Sequence, residues 1–132
     1  MSNMFCYQCE QTAGGKGCVG AQGVCGKKAP VALLQDELTE ALIGLARVSK
    51  DGSPTEAARV LMREGLFAAV TNVNFDDAAI EALIARVRRE KEAVAQREIR
   101  DLSLGENDDG DMAKLWSADE DIRSLKSLIL FG

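Results

Sequence analysis

Four cysteines, Cys6, Cys9, Cys18 and Cys25, lie within the first 25 residues in the pattern C-x2-C-x8-C-x6-C, and no cysteine follows them. Four thiolates on so short a stretch suit either a tetrahedral zinc ion or an iron–sulfur cluster, because both are bound by sets of four cysteines. Spacing and surroundings favour the cluster. A zinc ribbon brings two tight C-x2-C knuckles together from separate hairpins, whereas only Cys6 and Cys9 form such a pair here. Six of the twelve glycines, Gly14, Gly15, Gly17, Gly20, Gly23 and Gly26, fall between Gln11 and Lys27. Glycine lets the backbone wrap closely and aim N–H groups at sulfur, which stabilises an anionic cluster and raises its potential. A thioredoxin-like dithiol at Cys6 and Cys9 would need a strand before the pair and a helix opening at the second cysteine, and neither is expected from the sequence.

Other residues of this head have two readings each. Lys16, Lys27 and Lys28 either offset part of the charge of a four-thiolate cluster or stand as solvated loop lysines. Phe5 and Tyr7 either cover the cluster from water, which tunes its potential, or pack the head onto the rest of the chain.

Composition narrows the chemistry further. The 132 residues contain no histidine. A Ser-His-Asp or Cys-His nucleophilic site, an HExxH zinc peptidase and a histidine-held haem are therefore excluded within this chain. The net charge is −5, from 16 basic and 21 acidic residues. Residues 1–30 carry +2 and residues 98–121 carry −7. A small basic end on an acidic body is not the broad basic stripe that nucleic acid requires, so no nucleic-acid partner is expected. No apolar run approaches the ~18 residues of a spanning helix, and no signal-like segment opens the chain. These absences predict a cytoplasmic protein without a membrane partner, where cysteines serve as metal ligands rather than disulfides.

The elements that position the head read as helices, and the fold class expected is all-α: a cysteine-rich head over residues 1–29 and a helical bundle over 30–132. From Pro30, the positions Val31, Leu34, Leu38, Leu42 and Leu45 recur at helical steps until Asp51-Gly52. Ser53-Pro54-Thr55-Glu56 forms a capping-box pattern with Ser53 as N-cap. It opens a second helix running to about Val73, whose expected buried side is Val60, Leu61, Phe67, Val70 and Val73. Gly65 is there a weak point or a close-packing contact. Asn74 to Asp77 is a turn and cap, followed by a long third helix marked by Ile80, Leu83, Ile84, Val87 and Val94. Three helices with short turns make an antiparallel bundle. Residues 98–116 read as an acidic loop. A calcium loop is excluded there: with Gly110 at position six, positions one and twelve fall on Gly105 and Trp116. A fourth helix is expected from Ser117, with Ile122, Leu125, Leu128 and Ile129 on one face. The apolar ending Leu130-Phe131-Gly132 predicts a chain cut inside a longer helix, or one that docks on a partner.

Met4-Phe5-Cys6-Tyr7-Gln8-Cys9-Glu10-Gln11-Thr12-Ala13, followed by Gly17-Cys18 and by Gly23-Val24-Cys25-Gly26-Lys27, closely resembles the N-terminus of the hybrid cluster protein family, also called prismane proteins or hydroxylamine reductases. The resemblance continues more weakly through Thr71 to Phe75 and from Asp119 to Gly132. It implies that Cys6, Cys9, Cys18 and Cys25 hold a conventional iron–sulfur cluster that passes electrons inward. The family's separate hybrid cluster takes histidine, glutamate and further cysteines from later sequence, which this chain lacks. The chain is thus expected to be the first helical domain of a longer enzyme, with no catalytic residue of its own. A redox donor protein and the remainder of the enzyme are its implied partners. The complete enzyme would reduce hydroxylamine to ammonia, or nitric oxide, in nitrosative-stress defence. Family members with a short second cysteine interval, as here, hold [4Fe–4S]; those with a longer one hold [2Fe–2S], and the final gap of six resembles the second group. The span from Cys9 to Cys18 differs most between the groups, so [4Fe–4S] is the expected cluster. Two other functions compete: a non-enzymatic zinc-binding interaction module using Ile122 to Phe131 as its docking helix, and a cluster that senses oxygen or nitric oxide.

Overall fold

The structure is a computed structural model that describes residues 4–50, 54–71, 75–98, 112 and 116–131. A short antiparallel ribbon opens it, pairing β1 (Met4–Cys6) with β2 (Cys18–Gly20). Among the described residues four helices follow: α1 (Ala29–Ser49), α2 (Glu56–Val70), α3 (Asp77–Glu98) and α4 (Glu120–Phe131). The all-α class holds, with one refinement. A strand does precede the Cys6–Cys9 pair, because residues 4–6 find a partner 14 residues on. Among the described residues no α-helix opens at Cys9; a 3-10 turn forms at Ala13–Gly15 instead.

Helix α1 is the spine. Pro30 sits in its first turn, where a missing N–H costs nothing. Its stripe of Val31, Leu38, Leu42, Leu45 and Val48 is buried against Ala58, Leu61, Ala68 and Ala69 of α2 and Ile80, Ile84, Val87 and Val94 of α3. Full burial of a leucine such as Leu38 or Leu45 contributes about 1.5–3 kcal/mol before entropy is counted. The same helix carries β1 on another side, where Met4, Cys18, Ala29 and Ala32 form a small separate core with Cys6 packed against it. One element thus fixes the head relative to the bundle.

Helix α2 departs from expectation in two ways. Its N-cap is Thr55, whose Oγ1 accepts from the Ala58 N–H at 2.9 Å, so the helix starts at Glu56. Ser53, Asp51-Gly52 and residues 72–74, Val73 among them, lie outside the described residues. Phe67 and Val70 are exposed, at 65% and 52%. The face that meets α1 is instead the small-residue side, Ala58, Leu61, Gly65, Ala68 and Ala69. A Cβ at Gly65 would lie 2.6 Å from Leu42 Cδ2, so any side chain there would force Leu42 to shift. Gly65 is the close-packing contact.

Asp76 caps α3 as expected, its Oδ1 accepting from the Ala79 N–H at 3.2 Å. Most of the expected acidic loop, residues 99–111 and 113–115, lies outside the described residues. Two of its residues are core. Met112 and Trp116 are buried, the Met112 N–H donating to Glu40 Oε1 at 2.9 Å and the Trp116 Nε1 to Asp36 Oδ1 at 3.2 Å. Helix α4 begins at Glu120 rather than Ser117, and Ile122, Leu125, Leu128 and Ile129 are exposed.

Candidate metal centre

The ribbon register sets Cys6 directly opposite Cys18. Between them the chain must reverse within eleven residues, and Gly17 makes this possible. Its φ of 125° is open to glycine, and a Cβ there would lie 2.5 Å from Phe5 Cε2. A turn closes from the Thr12 N–H to the Cys9 carbonyl at 3.1 Å, and Thr12 Oγ1 donates to the Cys6 carbonyl at 3.2 Å. Beyond β2 the loop bearing Cys25 is tied to the start of α1. The Gly23 N–H donates to the Lys27 carbonyl at 2.8 Å and the Ala29 N–H to the Ala21 carbonyl at 3.1 Å.

None of the four cysteines is in a disulfide. Burial pushes the Cys6 thiol up from its ordinary range, opposed by the Gln8 N–H and by the nearby Lys27 charge. The Cys18 thiol is pulled down, chiefly by the Val24 N–H and against burial, with the Ala13 N–H, the nearby Thr12 side chain and the Lys27 charge adding to it. At Cys6 and Cys18 the backbone donors are thus Gln8, Ala13 and Val24. Donors so placed favour an anionic sulfur and suit a thiolate ligand.

The three lysines separate cleanly. Lys16 and Lys28 are exposed, whereas Lys27 is buried at 1% exposure. Its Nζ donates to Gln8 Oε1 at 3.0 Å and lies 3.7 Å from Cys6 Sγ. A buried lysine charge is costly by several kcal/mol unless it is compensated; the nearby Asp36 carboxylate offsets part of it, and an anionic cluster on Cys6 would offset more.

Phe5 and Tyr7 do more than cover the head, since they receive α4. Arg123 lies over both rings, 4.6 Å from the Phe5 centroid and 5.4 Å from that of Tyr7. It also donates to the Lys16 and Ala118 carbonyls at 3.1 and 3.0 Å. Tyr7 Oη and Ser124 Oγ share a hydrogen bond of 3.0 Å, and Phe5 meets Trp116 at 6.2 Å between centroids. Sequence reasoning passed over Gln8, Arg123 and Trp116. Only the aromatic pair flanking Cys6 signalled that something must cover it.

The structure places all four expected ligands in one head and faces Cys6 with Cys18. It does not close them into a set: among the described residues, no three cysteine or acidic side chains converge on a metal position. The donors nonetheless fit an iron–sulfur cluster in their chemistry, with sulfurs that already receive N–H groups and a buried cation beside one of them.

Residues 4–132 match the Prismane/CO dehydrogenase family. The chain is 38% identical over 147 residues to a hydroxylamine reductase of Acetivibrio thermocellus, covering 98% of this chain and 27% of that protein. It is 40% identical over 155 residues to a hydroxylamine reductase of Methanocella arvoryzae, covering 98% and 28%. A hydroxylamine reductase of Syntrophobacter fumaroxidans is 51% identical over 88 residues, covering 64% of this chain and 16% of that protein. The chain thus spans about a quarter of the length of these first two relatives. No solved structure matches it.

Proposed function

Because the chain belongs to the Prismane/CO dehydrogenase family, we propose that its cysteine head holds an iron–sulfur cluster and serves as the electron-transfer domain of a hydroxylamine-reductase-like enzyme. The observation that carries this is the pairing of Cys6 with Cys18 across the ribbon, with N–H donors aimed at both sulfurs. Family membership supports an iron–sulfur cofactor in general. Cys6, Cys9, Cys18 and Cys25 are its proposed ligands, and the eight-residue interval from Cys9 to Cys18 favours [4Fe–4S] over [2Fe–2S]. When bound, such a cluster takes up and returns single electrons without breaking bonds.

The chain's own residues have supporting parts in this reading. Gln8, Ala13 and Val24 orient and stabilise the thiolates through their N–H groups. Phe5 and Tyr7, held by Arg123, limit water at the head. With no histidine and no cysteine after Cys25, the chain lacks the histidine and further cysteine ligands of a second, hybrid cluster. Reduction of hydroxylamine to ammonia, or of nitric oxide in nitrosative-stress defence, is therefore assigned to residues outside this chain. A reduced redox protein is the proposed electron donor. No helix among the described residues is long and apolar enough to cross a membrane, and the cytoplasm is the proposed location.

Oxygen-free purification followed by iron, zinc and acid-labile sulfide analysis tests the proposal. The expected result is a coloured protein with about four iron and four sulfide per chain, reduced by one electron. A colourless protein holding one zinc and no sulfide would instead establish the zinc-binding module.

A further inference from the structure

We propose that Lys27 is the residue by which this protein sets the reduction potential of its cluster, through a fixed positive charge buried 3.7 Å from Cys6 Sγ. The inference rests on the reading that Cys6 is a cluster ligand, and it names what tunes that cluster.

Lysine is among the residues least often fully buried, because its ammonium is strongly hydrated. Lys27 is nevertheless one of the largest fully buried side chains of the molecule. The ion pairs described lie on the helix surfaces and join Arg59 and Arg63 to Glu56, Arg86 to Glu64 and Arg88 to Glu37; none of them involves Lys27. Its Nζ donates to Gln8 Oε1 at 3.0 Å and lies against Cys6 Sγ; the Asp36 carboxylate is near enough to feel its charge but makes none of the ion pairs described. Both contacts come from the C-x2-C segment, 19 and 21 residues away in sequence. The backbone secures this placement. Gly26, at φ 89°, reverses the chain directly after Cys25, and the Lys27 carbonyl accepts the Gly23 N–H.

Each electron added to a four-thiolate cluster adds one negative charge. A positive charge beside a ligand sulfur therefore favours the reduced state over the oxidised one and raises the potential, most strongly where water is excluded. Lys16 and Lys28 belong to the same basic head but are exposed, where solvent and salt screen them. Three lysines that are equivalent in sequence are therefore unequal in effect.

The test compares the full 132-residue chain with Lys27→Met, Lys27→Arg and Lys28→Met, all prepared without oxygen and loaded with iron and sulfide. Iron and sulfide content is measured first, then the midpoint potential by mediated redox titration followed by visible and EPR spectra. A wild-type chain that takes up no cluster overturns the underlying reading, and this inference with it, before any variant is compared. Given a loaded wild type, Lys27→Met is expected to keep its cluster and to lower the one-electron reduction constant at least tenfold, a shift of about 59 mV to more negative potential. Lys27→Arg should restore the wild-type value, and Lys28→Met should leave it unmoved. An unchanged potential in Lys27→Met, or an equal shift in Lys28→Met, overturns the proposal. Should Lys27→Met fail to load, Lys27→Arg decides: a loaded arginine variant at the wild-type potential supports the charge, and an unloaded one shows that Lys27 acts by packing.

Discussion

Asp36 shows how one residue on the spine helix registers the whole site. It lies beside the head, accepts from Trp116 Nε1, and has its carboxyl pushed up to about 6. Burial is the main cause; Glu40 adds to it, while the Trp116 hydrogen bond and the Lys27 charge oppose it. A carboxyl whose folded pKa lies above its unfolded value binds its proton more tightly when folded. Its contribution is therefore fully favourable below pH 4 and is lost as pH rises through about 6. The cost at neutral pH is on the order of 2–3 kcal/mol. Asp36→Asn keeps an acceptor for Trp116 and removes the charge. Its thermal midpoint at pH 7 should rise, and its stability should vary less between pH 4 and 6 than that of the wild type. A lower midpoint at pH 7 in the asparagine variant would contradict this account.

Among the elements, α2 and α4 depart most from their sequence pattern, and each departure has a test. For α2, Gly65→Ala gains about 1 kcal/mol in helix propensity but forces Leu42 aside in a packed core, at about 1–3 kcal/mol. A net loss in urea midpoint is expected; a gain would mean the helices have room to part. Thr55→Ala removes the cap on Ala58 and the hydrogen bond from Thr55 to Glu90 on α3. A loss of about 1 kcal/mol is expected by equilibrium unfolding. For α4, Arg123→Met removes the contacts with Phe5 and Tyr7 and two carbonyl hydrogen bonds. Amide exchange in α4 should speed up about tenfold or more while α1 to α3 stay protected. Uniform exchange across all helices would show that α4 is not held through Arg123.

At the scale of the molecule, two cores share α1 and stay distinct: the bundle core, and the small core of Met4, Cys18, Ala29 and Ala32. Stripping the cluster should therefore loosen the head and leave the bundle folded. Treatment with a chelator under air is expected to expose the thiols to labelling while far-ultraviolet circular dichroism falls only slightly. A cooperative loss of helix together with iron would show that the cluster, and not the leucine stripe, holds the bundle.

The helices and the clustering of four cysteines in the head were legible from the residues themselves. The cysteine spacing is local, and the three- and four-residue steps of Val31, Leu38, Leu42 and Leu45 force one side of α1 inward whatever it meets. Which side of α2 would meet it was only partly legible: Leu61 and the Gly65 contact were among the expectations, but Phe67 and Val70, apolar by type, are exposed and Ala58, Ala68 and Ala69 take the buried side. The placement of Lys27 on Cys6, of Arg123 on the Phe5 and Tyr7 rings, and of Trp116 on Asp36 was equally hidden. Each of these contacts joins segments 21 to 118 residues apart, and periodicity carries no information across such distances. Local chemistry specified what the head could bind; only the packing of remote segments decided which charge is buried beside it.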